Sequence, residues 1–410
     1  MVFSTQRKVG VAALAAMAVI VTGCAGGGAA GDSNALEFWA YEPNSLSQKE
    51  ALDELIVEFE TANDIDVKVT YIPKDSFNTK LNSSIAVGRN PDVSYLDQPL
   101  TPRFAADGLL LDVTDQLAAG IGADSFLPAA METNIVDGRA YGVPLSMTTV
   151  ALYYNKALVE QAPTTWDEWL DSARDVYVPN TTAAFEGIGG GGWGAWLFPA
   201  FVHSGGGTMV SPSGDEATFG NEAGIEAASF LVELQRYSDQ AVRQSENAFG
   251  NGLVAYKVSG PWEIDALSKN FPNLEFGVAP LPAREGFAPT SNIGGENLVV
   301  FENSTKQEIA YAFVEFLTNA ENMQVMAGVT GNFATNLEAA AALNYSADPL
   351  LGVFELQLQS AIPRPTLTEW LKVNDEVIGS ALDSIFVSGG DPDAVLTDAN
   401  ERANVILFGD

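Results

Sequence analysis

Few side chains in this sequence are suited to nucleophilic, metal-binding or proton-transfer chemistry. The chain of 410 residues contains one cysteine, Cys24, and one histidine, His203. A single thiol cannot form a disulfide within the chain, and His203 has no recognisable partners for a catalytic or metal role. A G-x-G-x-x-G spacing runs from Gly187 to Gly192, but a run of glycines produces it by chance, and no Gly-Lys pair follows. We therefore predict no catalytic residue, no metal site and no cofactor.

The position of Cys24 indicates a different chemistry. Arg7 and Lys8 precede an apolar stretch of 13 residues, Val9 to Val21, which is too short for a membrane-spanning helix of about 20 residues. This is the pattern of a secretory signal peptide, and the sequence "VTGC" resembles the bacterial lipoprotein signal, in which the cysteine carries the lipid. We predict a signal peptide over residues 1–23, lipid on Cys24 and a flexible Gly-rich tether over 24–34. An ordinary signal peptide with an incidental cysteine is the alternative.

The charge of the chain limits its partners. The sequence has 20 Lys and Arg against 53 Asp and Glu. Removing residues 1–23 takes away two basic residues and no acid, which leaves 18 against 53 and a formal charge of −35. We expect no nucleic-acid partner, because such binding needs a basic surface, and anionic ligands are disfavoured unless a local basic pocket overrides the field. With 47% hydrophobic residues, the chain can bury a core large enough for two lobes.

Strand and helix patterns alternate at the start of the mature chain. The sequence "ALEFWAYEPN" predicts a strand, and Leu52, Leu55, Ile56 and Phe59 recur at helical spacing after it. "IDVKVTYIP", a helix around Leu81 and "DVSYLD" continue the alternation, which predicts an open, mostly parallel α/β sheet. Two later helices carry apolar stripes, one over Ile309, Ala312, Phe313, Phe316 and Leu317 and one over Trp370, Val373, Val377, Ile378, Ala381, Leu382 and Ile385.

A series of short motifs follows in a fixed order. They are "YGVP", "LYYNK", "TTWDEWL", "VSGPWEI", "GVAPLP", "NIGGENLVV", "AYAFVEFLTNAEN" and "IPRP". In order and spacing they resemble the extracellular solute-binding proteins of carbohydrate-uptake ABC transporters, the group that includes maltose-binding protein. The resemblance implies a bilobal periplasmic-binding-protein fold, with two α/β lobes joined by crossover strands and a ligand cleft between them. It assigns residues 35–145 and 290–335 to the N-terminal lobe and 146–289 and 336–410 to the C-terminal lobe.

The same resemblance implies a function. The chain would be a monomeric, extracytoplasmic substrate-binding component of an ABC importer, anchored to the cell membrane by the lipid on Cys24 and without enzymatic activity. It would close around a carbohydrate and deliver it to the permease. Several tryptophans and acids with few basic groups favour a neutral or amino di- or oligosaccharide, with an α-glucoside such as maltose or trehalose preferred. The alternatives are a lipid-anchored glycoside hydrolase, which needs two carboxylates flanking the bond, and a receptor for ferric iron or a glycerophosphodiester.

A sugar ring has an apolar C–H face and a rim of hydroxyls, so its receptor needs flat aromatic platforms. By resemblance, Trp262 is the first platform, with a core position as the alternative. Trp193 and Trp196 lie beside the glycines; one is expected in the core, and Trp193 is preferred for the ligand. Trp370 either stacks on the ligand or packs within the stripe of its helix.

Planar polar groups would bridge the sugar hydroxyls. Asp97 ends a predicted strand at a position where the family often has a hydroxyl-binding acid, with helix capping or solvent exposure as the alternative. Arg364 either forks onto two hydroxyls or forms a salt bridge between the lobes. The other predicted contacts are Gln98 beside Asp97, Glu42, Thr148 on the first crossover, Glu296, and Gly295, whose backbone would approach the sugar.

Some prominent residues are assigned to structure. Thr165 and Glu168 have the spacing of a helix capping box, so Trp166 and Trp169 are expected to pack the helix that begins there. The glycine-rich segments 187–196 and 204–208 are predicted to be loops, and His203 is placed at a loop edge.

Overall fold

The computed structural model describes residues 35–409, so the predicted signal peptide, Cys24 and the tether lie outside the described residues. The strands are β1 (Leu36–Tyr41), β2 (Val67–Ile72), β3 (Val93–Asp97), β4 (Ile135–Val136), β5 (Arg139–Ala140), β6 (Val143–Thr148), β7 (Ala151–Asn155), β8 (Ala183–Phe185), β9 (Val254–Ser259), β10 (Phe276–Ala279), β11 (Asn292–Val300), β12 (Phe333–Ala334) and β13 (Ile362–Pro363).

The helices surround these strands. They are α1 (Leu46–Asn63), α2 (Lys74–Ala86), α3 (Thr101–Ala106), α4 (Thr114–Ala119), α5 (Pro128–Glu132), α6 (Trp166–Val176), α7 (Gly191–Ser204), α8 (Glu222–Gln235), α9 (Gln240–Arg243), α10 (Glu263–Asn270), α11 (Gln307–Thr318), α12 (Ala320–Thr330), α13 (Leu337–Leu343), α14 (Leu351–Leu358), α15 (Trp370–Lys372), α16 (Gly379–Phe386) and α17 (Pro392–Phe408). A π-helical stretch, Val373–Ile378, joins α15 to α16. None of the helices in the described part of the chain is both long and apolar enough to cross a membrane.

The first sheet has the strand order β12-β6-β11-β3-β1-β2, with β13 beside β11. The predicted alternation of strand and helix is confirmed for β1, α1, β2, α2 and β3, and β1 is parallel to both β2 and β3. The sheet is more mixed than predicted, because β11 enters from the second lobe and runs antiparallel to β3 and β6. The carboxyl ends of β1, β2, β3 and β6 therefore meet at one edge, where open α/β sheets bind ligands.

The predicted helix stripes explain how the first lobe packs. Ser45 caps α1 by accepting a hydrogen bond from the backbone N–H of Gln48, and the four predicted apolar positions of this helix are all buried. Phe313 of α11 contacts Phe38 of β1 and Phe59 of α1, with ring centroids 5.1 and 4.9 Å apart. These aromatic edge contacts fix both helices on one face of the sheet.

The second sheet has the order β10-β7-β9-β8. Thr165 caps α6 by accepting from the N–H of Glu168, and both Trp166 and Trp169 are buried, as predicted. Trp169 contacts Phe185 of β8 and lies in one apolar cluster with α7, α8 and the C-terminal helices. The stripe from Trp370 to Ile385 is buried in the same cluster, so the predicted helix forms one wall of this lobe.

The chain passes from the first sheet to the second within a few residues after β6. Thr149 donates to the carbonyl oxygen of Asn292 at 2.8 Å, and Ser291 donates to that of Val150 at 2.9 Å. These reciprocal bonds hold the outgoing and returning segments side by side. The two-lobed α/β fold expected from the sequence is confirmed, with β6 continuing to Thr148 and β13 pairing with the first sheet.

Candidate ligand-binding site

The lobes enclose a cleft with a cavity of about 670 Å³. Its first-lobe wall contains residues at the carboxyl ends of the strands, together with residues of β11, α1, α2 and α12. The second-lobe wall contains the start of α7, the turn before α10 and the π-helical stretch. Its volume lies within the range of small-molecule pockets, about 300–1,000 Å³.

Most of the predicted contact residues meet in this cleft. Eight of the ten line the cavity: Glu42, Asp97, Thr148, Trp193, Trp262, Gly295, Glu296 and Arg364. They come from segments separated by hundreds of residues, which the two sheets bring to one place.

Gln98 does not line the cleft, and its predicted role as a partner of Asp97 there is contradicted by its position. After Asp97 the chain turns into a 3₁₀ helix, Gln98–Leu100, which carries the side chain behind the cleft wall. Gln98 is buried beside a second cavity of about 10 Å³, roughly the space of one water molecule. The backbone of Gly295 passes so close that a Cβ there would stand 2.6 Å from Gln98 Nε2. The Ser146 carbonyl oxygen is closer still, at 2.2 Å, so glycine at 295 accommodates both the neighbouring strand β6 and the Gln98 side chain.

Trp370 is also absent from the cleft wall. It is 0% exposed and belongs to the apolar core of the second lobe. The expectation that Trp370 stacks on a ligand is wrong. The alternative, packing within the apolar stripe of its helix, is the role observed. The indole occupies a core position because Val373 and Val377, on the same helical face, are buried with it.

Three tryptophans form an aromatic cluster on the second-lobe wall. The glycine-rich segment was expected to be a loop, but from Gly191 onward it is helix α7, so Trp193 and Trp196 lie three residues apart on one helical face. Their rings stack at 5.3 Å, and Trp262 lies 6.3 and 6.0 Å from them at steeper angles. Both Trp193 and Trp196 line the cleft. Trp193 is 47% exposed, whereas Trp196 is partly buried against the second-lobe core, so Trp196 has part of the core role expected for one of the two.

The orientation of Trp262 depends on the glycine before it. A Cβ on Gly260 would stand 2.0 Å from the Trp262 ring, so the indole lies directly on the Gly260 backbone. The Tyr153 hydroxyl donates to the carbonyl oxygen of Gly260 at 2.6 Å, which holds the turn before α10 in place. The platform is therefore held in place before any ligand arrives.

Trp196 connects the two lobes at the base of the cleft. A Cβ on Gly294 would stand 2.8 Å from its ring, so the indole packs on the backbone of β11 in the first lobe. The side-chain amide of Asn292 donates to the Trp196 carbonyl oxygen at 2.8 Å. The aromatic cluster is thus placed relative to the first sheet by direct contact.

Asp97 and Arg364 form a bidentate ion pair. Arg364 Nη1 donates to Asp97 Oδ2 at 2.9 Å, and Nη2 donates to Oδ1. The Arg364 side chain is 6% exposed and that of Asp97 is 21% exposed. Although burial lowers the pKa of Arg364, the adjacent Asp97 carboxylate raises it above its usual value overall. Of the two roles expected for Arg364, the salt bridge is the one present.

A second ion pair lies beside the first on the neighbouring strand. Asp97 and Glu296 are directly paired in the register of β3 and β11. Lys74 Nζ lies 2.9 Å from Glu296 Oε1, and Ser146 donates to Oε2 at 2.7 Å. Desolvation lowers the pKa of Lys74, but the charge of Glu296 outweighs it and raises the pKa overall.

Some polar groups on the cleft wall have no partner in the described structure. Thr148 Oγ1, Asn332 Oδ1 and Asn374 Oδ1 are buried without a hydrogen bond. Since buried polar groups are nearly always satisfied, these atoms are candidates for ligand hydroxyl or amino groups. Thr148 thus offers a polar atom on the first crossover, where a ligand contact was predicted.

Several other residues of the wall were not predicted from the sequence. Tyr41 is the last residue of β1, as Asp97 is of β3, and Lys74 lies two residues after the end of β2, so both are close to strand ends. Burial, and then the charges of Glu296 and Asp97, raise the pKa of Tyr41 well above its usual value, so its hydroxyl stays neutral. Asn374 and Asp375 had no such signal, because the π-helical turn that presents them is not visible in the sequence.

His203 was expected at a loop edge, but it lies in the last turn of helix α7. It is buried, and its Nδ1 donates to the carbonyl oxygen of Gly207 at 3.0 Å. Burial lowers the pKa of the imidazole, so this side chain is neutral near pH 7. Between residues 35 and 409, no group of three or more His, Cys, Asp or Glu side chains is placed to hold a metal ion.

Comparison with known proteins identifies the family. Residues 54–353 match the family described as bacterial extracellular solute-binding protein. A maltooligosaccharide ABC transporter solute-binding lipoprotein of Streptococcus pneumoniae (strain ATCC BAA-255 / R6) is 24% identical, over 83% of this chain and 82% of the relative.

Two solved structures share the fold. An ABC transporter solute-binding protein of Thermotoga lettingae bound to α-D-tagatose matches with a TM-score of 0.82 and 24% identity, over 92% of this chain and 100% of that one. UgpB of Mycobacterium tuberculosis in complex with glycerophosphocholine matches with a TM-score of 0.79 and 25% identity, over 92% and 98%. The family predicted from the short motifs is therefore confirmed, and the chain belongs to the bacterial extracellular solute-binding proteins.

Proposed function

We propose that this protein is the lipid-anchored substrate-binding component of an ABC importer, and that it binds a di- or oligosaccharide without converting it. One observation carries the proposal: a cavity of about 670 Å³ has three tryptophans on one lobe and the carboxylates of Asp97 and Glu296 on the other. Aromatic faces match the apolar side of a sugar ring, and carboxylates match its hydroxyls. The protein closes its lobes on the sugar and presents it to the permease.

Relatives support the carbohydrate class. The Streptococcus relative is named for maltooligosaccharides, and the Thermotoga protein was solved with a monosaccharide. We therefore take α-glucosides such as maltose and trehalose as the first ligands to test. A glycerophosphodiester is a weaker candidate, because both basic side chains of the cleft wall are already paired with acids.

A thermal-shift screen tests the ligand class. The panel contains maltose, maltotriose, trehalose, cellobiose, tagatose and glycerophosphocholine. A ligand at a hundred times its Kd stabilises the folded state by about 2.7 kcal/mol, so at least one saccharide should raise the unfolding temperature in a concentration-dependent way. Stabilisation by glycerophosphocholine alone would contradict the proposal.

Binding without turnover is the second expected result. The purified protein is incubated with the saccharide that stabilises it best, and the mixture is analysed by chromatography over several hours. We expect the saccharide to be recovered unchanged. Hydrolysis or transfer in proportion to the protein added would instead support a glycoside hydrolase.

Anchoring through Cys24 is tested by the Cys24→Ser variant in cells. The strongly acidic body, with 18 basic against 53 acidic residues after position 23, offers little attraction to an anionic membrane surface, so the lipid supplies the affinity. The variant should move from the membrane fraction to the soluble extracytoplasmic fraction. A Thr22→Ser variant, one of the neighbouring positions in "VTGC", is the control. Continued membrane association of Cys24→Ser would place the anchor elsewhere.

A further inference from the structure

The cleft wall carries more acidic than basic side chains. The acids are Glu42, Asp97, Glu296 and Asp375, and the bases are Lys74 and Arg364. Both bases are already bound, Lys74 to Glu296 and Arg364 to Asp97. Within residues 35–409, no Lys, Arg or His nitrogen lies within ion-pair distance of Glu42 or Asp375. The cleft wall therefore carries two carboxylates without a basic partner.

Asp375 lies beside the aromatic cluster. It belongs to the π-helical stretch Val373–Ile378, a geometry that is often associated with functional sites. Its Oδ1 is 3.8 Å from the position that a Cβ on Gly192 would take, and Gly192 directly precedes Trp193. A ligand group bound to this carboxylate would therefore lie close to the segment that carries Trp193.

This corner of the cleft presents hydrogen-bond acceptors. The side-chain amide of Asn374 donates to Asp375 Oδ1 at 2.8 Å. An ionised carboxylate can only accept, so the amide nitrogen must face it, and the Asn374 oxygen is left without a partner. Asn374 is only 5% exposed. An unpaired amide oxygen and a carboxylate, both on the wall, call for a ligand group rich in N–H donors.

The environment of the Asp375 carboxylate also favours a positively charged ligand group. Burial in the cleft raises the pKa of its carboxyl above the usual value; the hydrogen bond from Asn374 opposes the shift and the negative charge of Asp97 adds to it. Lobe closure removes more water from this carboxylate. A neutral hydroxyl would leave the charge uncompensated, whereas an ammonium group would neutralise it.

We infer that the bound saccharide carries a protonated amine, and that the Asp375 carboxylate accepts its N–H groups next to Trp193. The inference rests on the proposed function, because it specifies the class of saccharide for the same cleft. Cations are also attracted to the faces of indole rings, so the aromatic cluster and Asp375 favour the same group. The acidic body of the protein adds a long-range field of the same sign.

Matched ligands test the inference by calorimetric titration at about pH 6, where an amine is protonated. The pairs are trehalose with 2-amino-2-deoxytrehalose, and cellobiose with the corresponding disaccharide of two glucosamines. The N-acetylated forms serve as neutral ligands of similar shape. For at least one pair, the wild type should bind the amine at least about tenfold more tightly than both neutral forms.

The Asp375→Asn variant keeps the shape of the side chain and removes its charge, so the preference for the amine should fall to within about threefold. Glu376→Gln is the matched control, because Glu376 is an acid of the same π-helical stretch that does not line the cleft; it should keep the preference. Equal affinity of the wild type for amine and hydroxyl forms, or an unchanged preference in Asp375→Asn, would overturn the inference while leaving saccharide binding intact. If no saccharide of either kind binds, the proposed function itself is wrong and the inference is overturned with it.

Discussion

Replacing Trp262 with alanine is expected to weaken saccharide binding about a hundredfold. An aromatic side chain can bury roughly 150–250 Å², and about half of that area would cover one face of a sugar ring. At about 25 cal/mol per Å² this contact contributes roughly 2–3 kcal/mol, which is about two orders of magnitude in Kd. The loss should be this large because Trp262 is fixed on Gly260 before binding and needs no ordering by the ligand.

The measurement is calorimetric titration with the saccharide that gives the largest thermal shift. Trp262 also packs partly against the second-lobe core, so the unfolding of the variant is followed by circular dichroism. Trp193→Ala provides a second test, because this side chain is 47% exposed and contributes little to the stability of the fold. Phe287→Ala is its matched control, since Phe287 is also 47% exposed but does not line the cleft.

We expect Trp193→Ala to weaken binding about tenfold and Phe287→Ala to leave it unchanged. Near-normal affinity in folded Trp262→Ala and Trp193→Ala would remove the aromatic cluster from the binding site. Loss of folding in Trp262→Ala alone would instead favour a core role for this residue.

Replacing Arg364 with methionine is expected to lower the free energy of unfolding by about 3 kcal/mol. Breaking a buried ion pair costs about 3–5 kcal/mol, because the remaining charge loses its partner. We expect a cost at the lower end of this range, because the Asp97 side chain is 21% exposed and water can reach it. The variant is compared with the wild type by urea unfolding in the absence of ligand.

A double variant separates the charge from the packing. In Asp97→Asn with Arg364→Met neither charge remains, so this protein should be more stable than Arg364→Met alone. Lys49→Met is the control for an exposed pair: Lys49 and Asp53 are 48% and 43% exposed, and its loss should change stability by less than about 1 kcal/mol. An Arg364→Met effect no larger than that of Lys49→Met would show that the Asp97–Arg364 pair does not hold the cleft wall together.

The pair also changes what is expected of Asp97. From its place at a strand end, Asp97 was predicted to bind sugar hydroxyls directly. Both of its oxygens accept hydrogen bonds from Arg364, so any hydroxyl must use the remaining lone pairs of the same carboxylate. We expect Asp97→Ala to weaken binding mainly because it leaves the Arg364 guanidinium unpaired and free to move.

Local patterns were sufficient for many of the strands and helices. Alternating strands and the helical spacing of Leu52, Leu55 and Phe59 depend on neighbours along the chain, and the corresponding elements are present. Parallel strands end at the same edge of a sheet, which explains why Asp97 and Glu42 both lie on the cleft wall. The capping of α6 by Thr165 is equally local.

The sequence by itself determined the α/β class and the main helices, which follow from local periodicity, and the family, which follows from short motifs; the predicted ligand contacts came from the resemblance to that family. The tertiary structure alone decided which charges pair and which aromatic faces remain open. Asp97 and Arg364 are 267 positions apart and meet only when the two lobes are assembled. Trp196 faces the cleft because glycine at 294 lets the indole approach β11, and Asp375 does so because the helical segment between α15 and α16 widens into a π-helical turn. Such contacts depend on distances between elements far apart in the chain, and a linear pattern does not contain those distances.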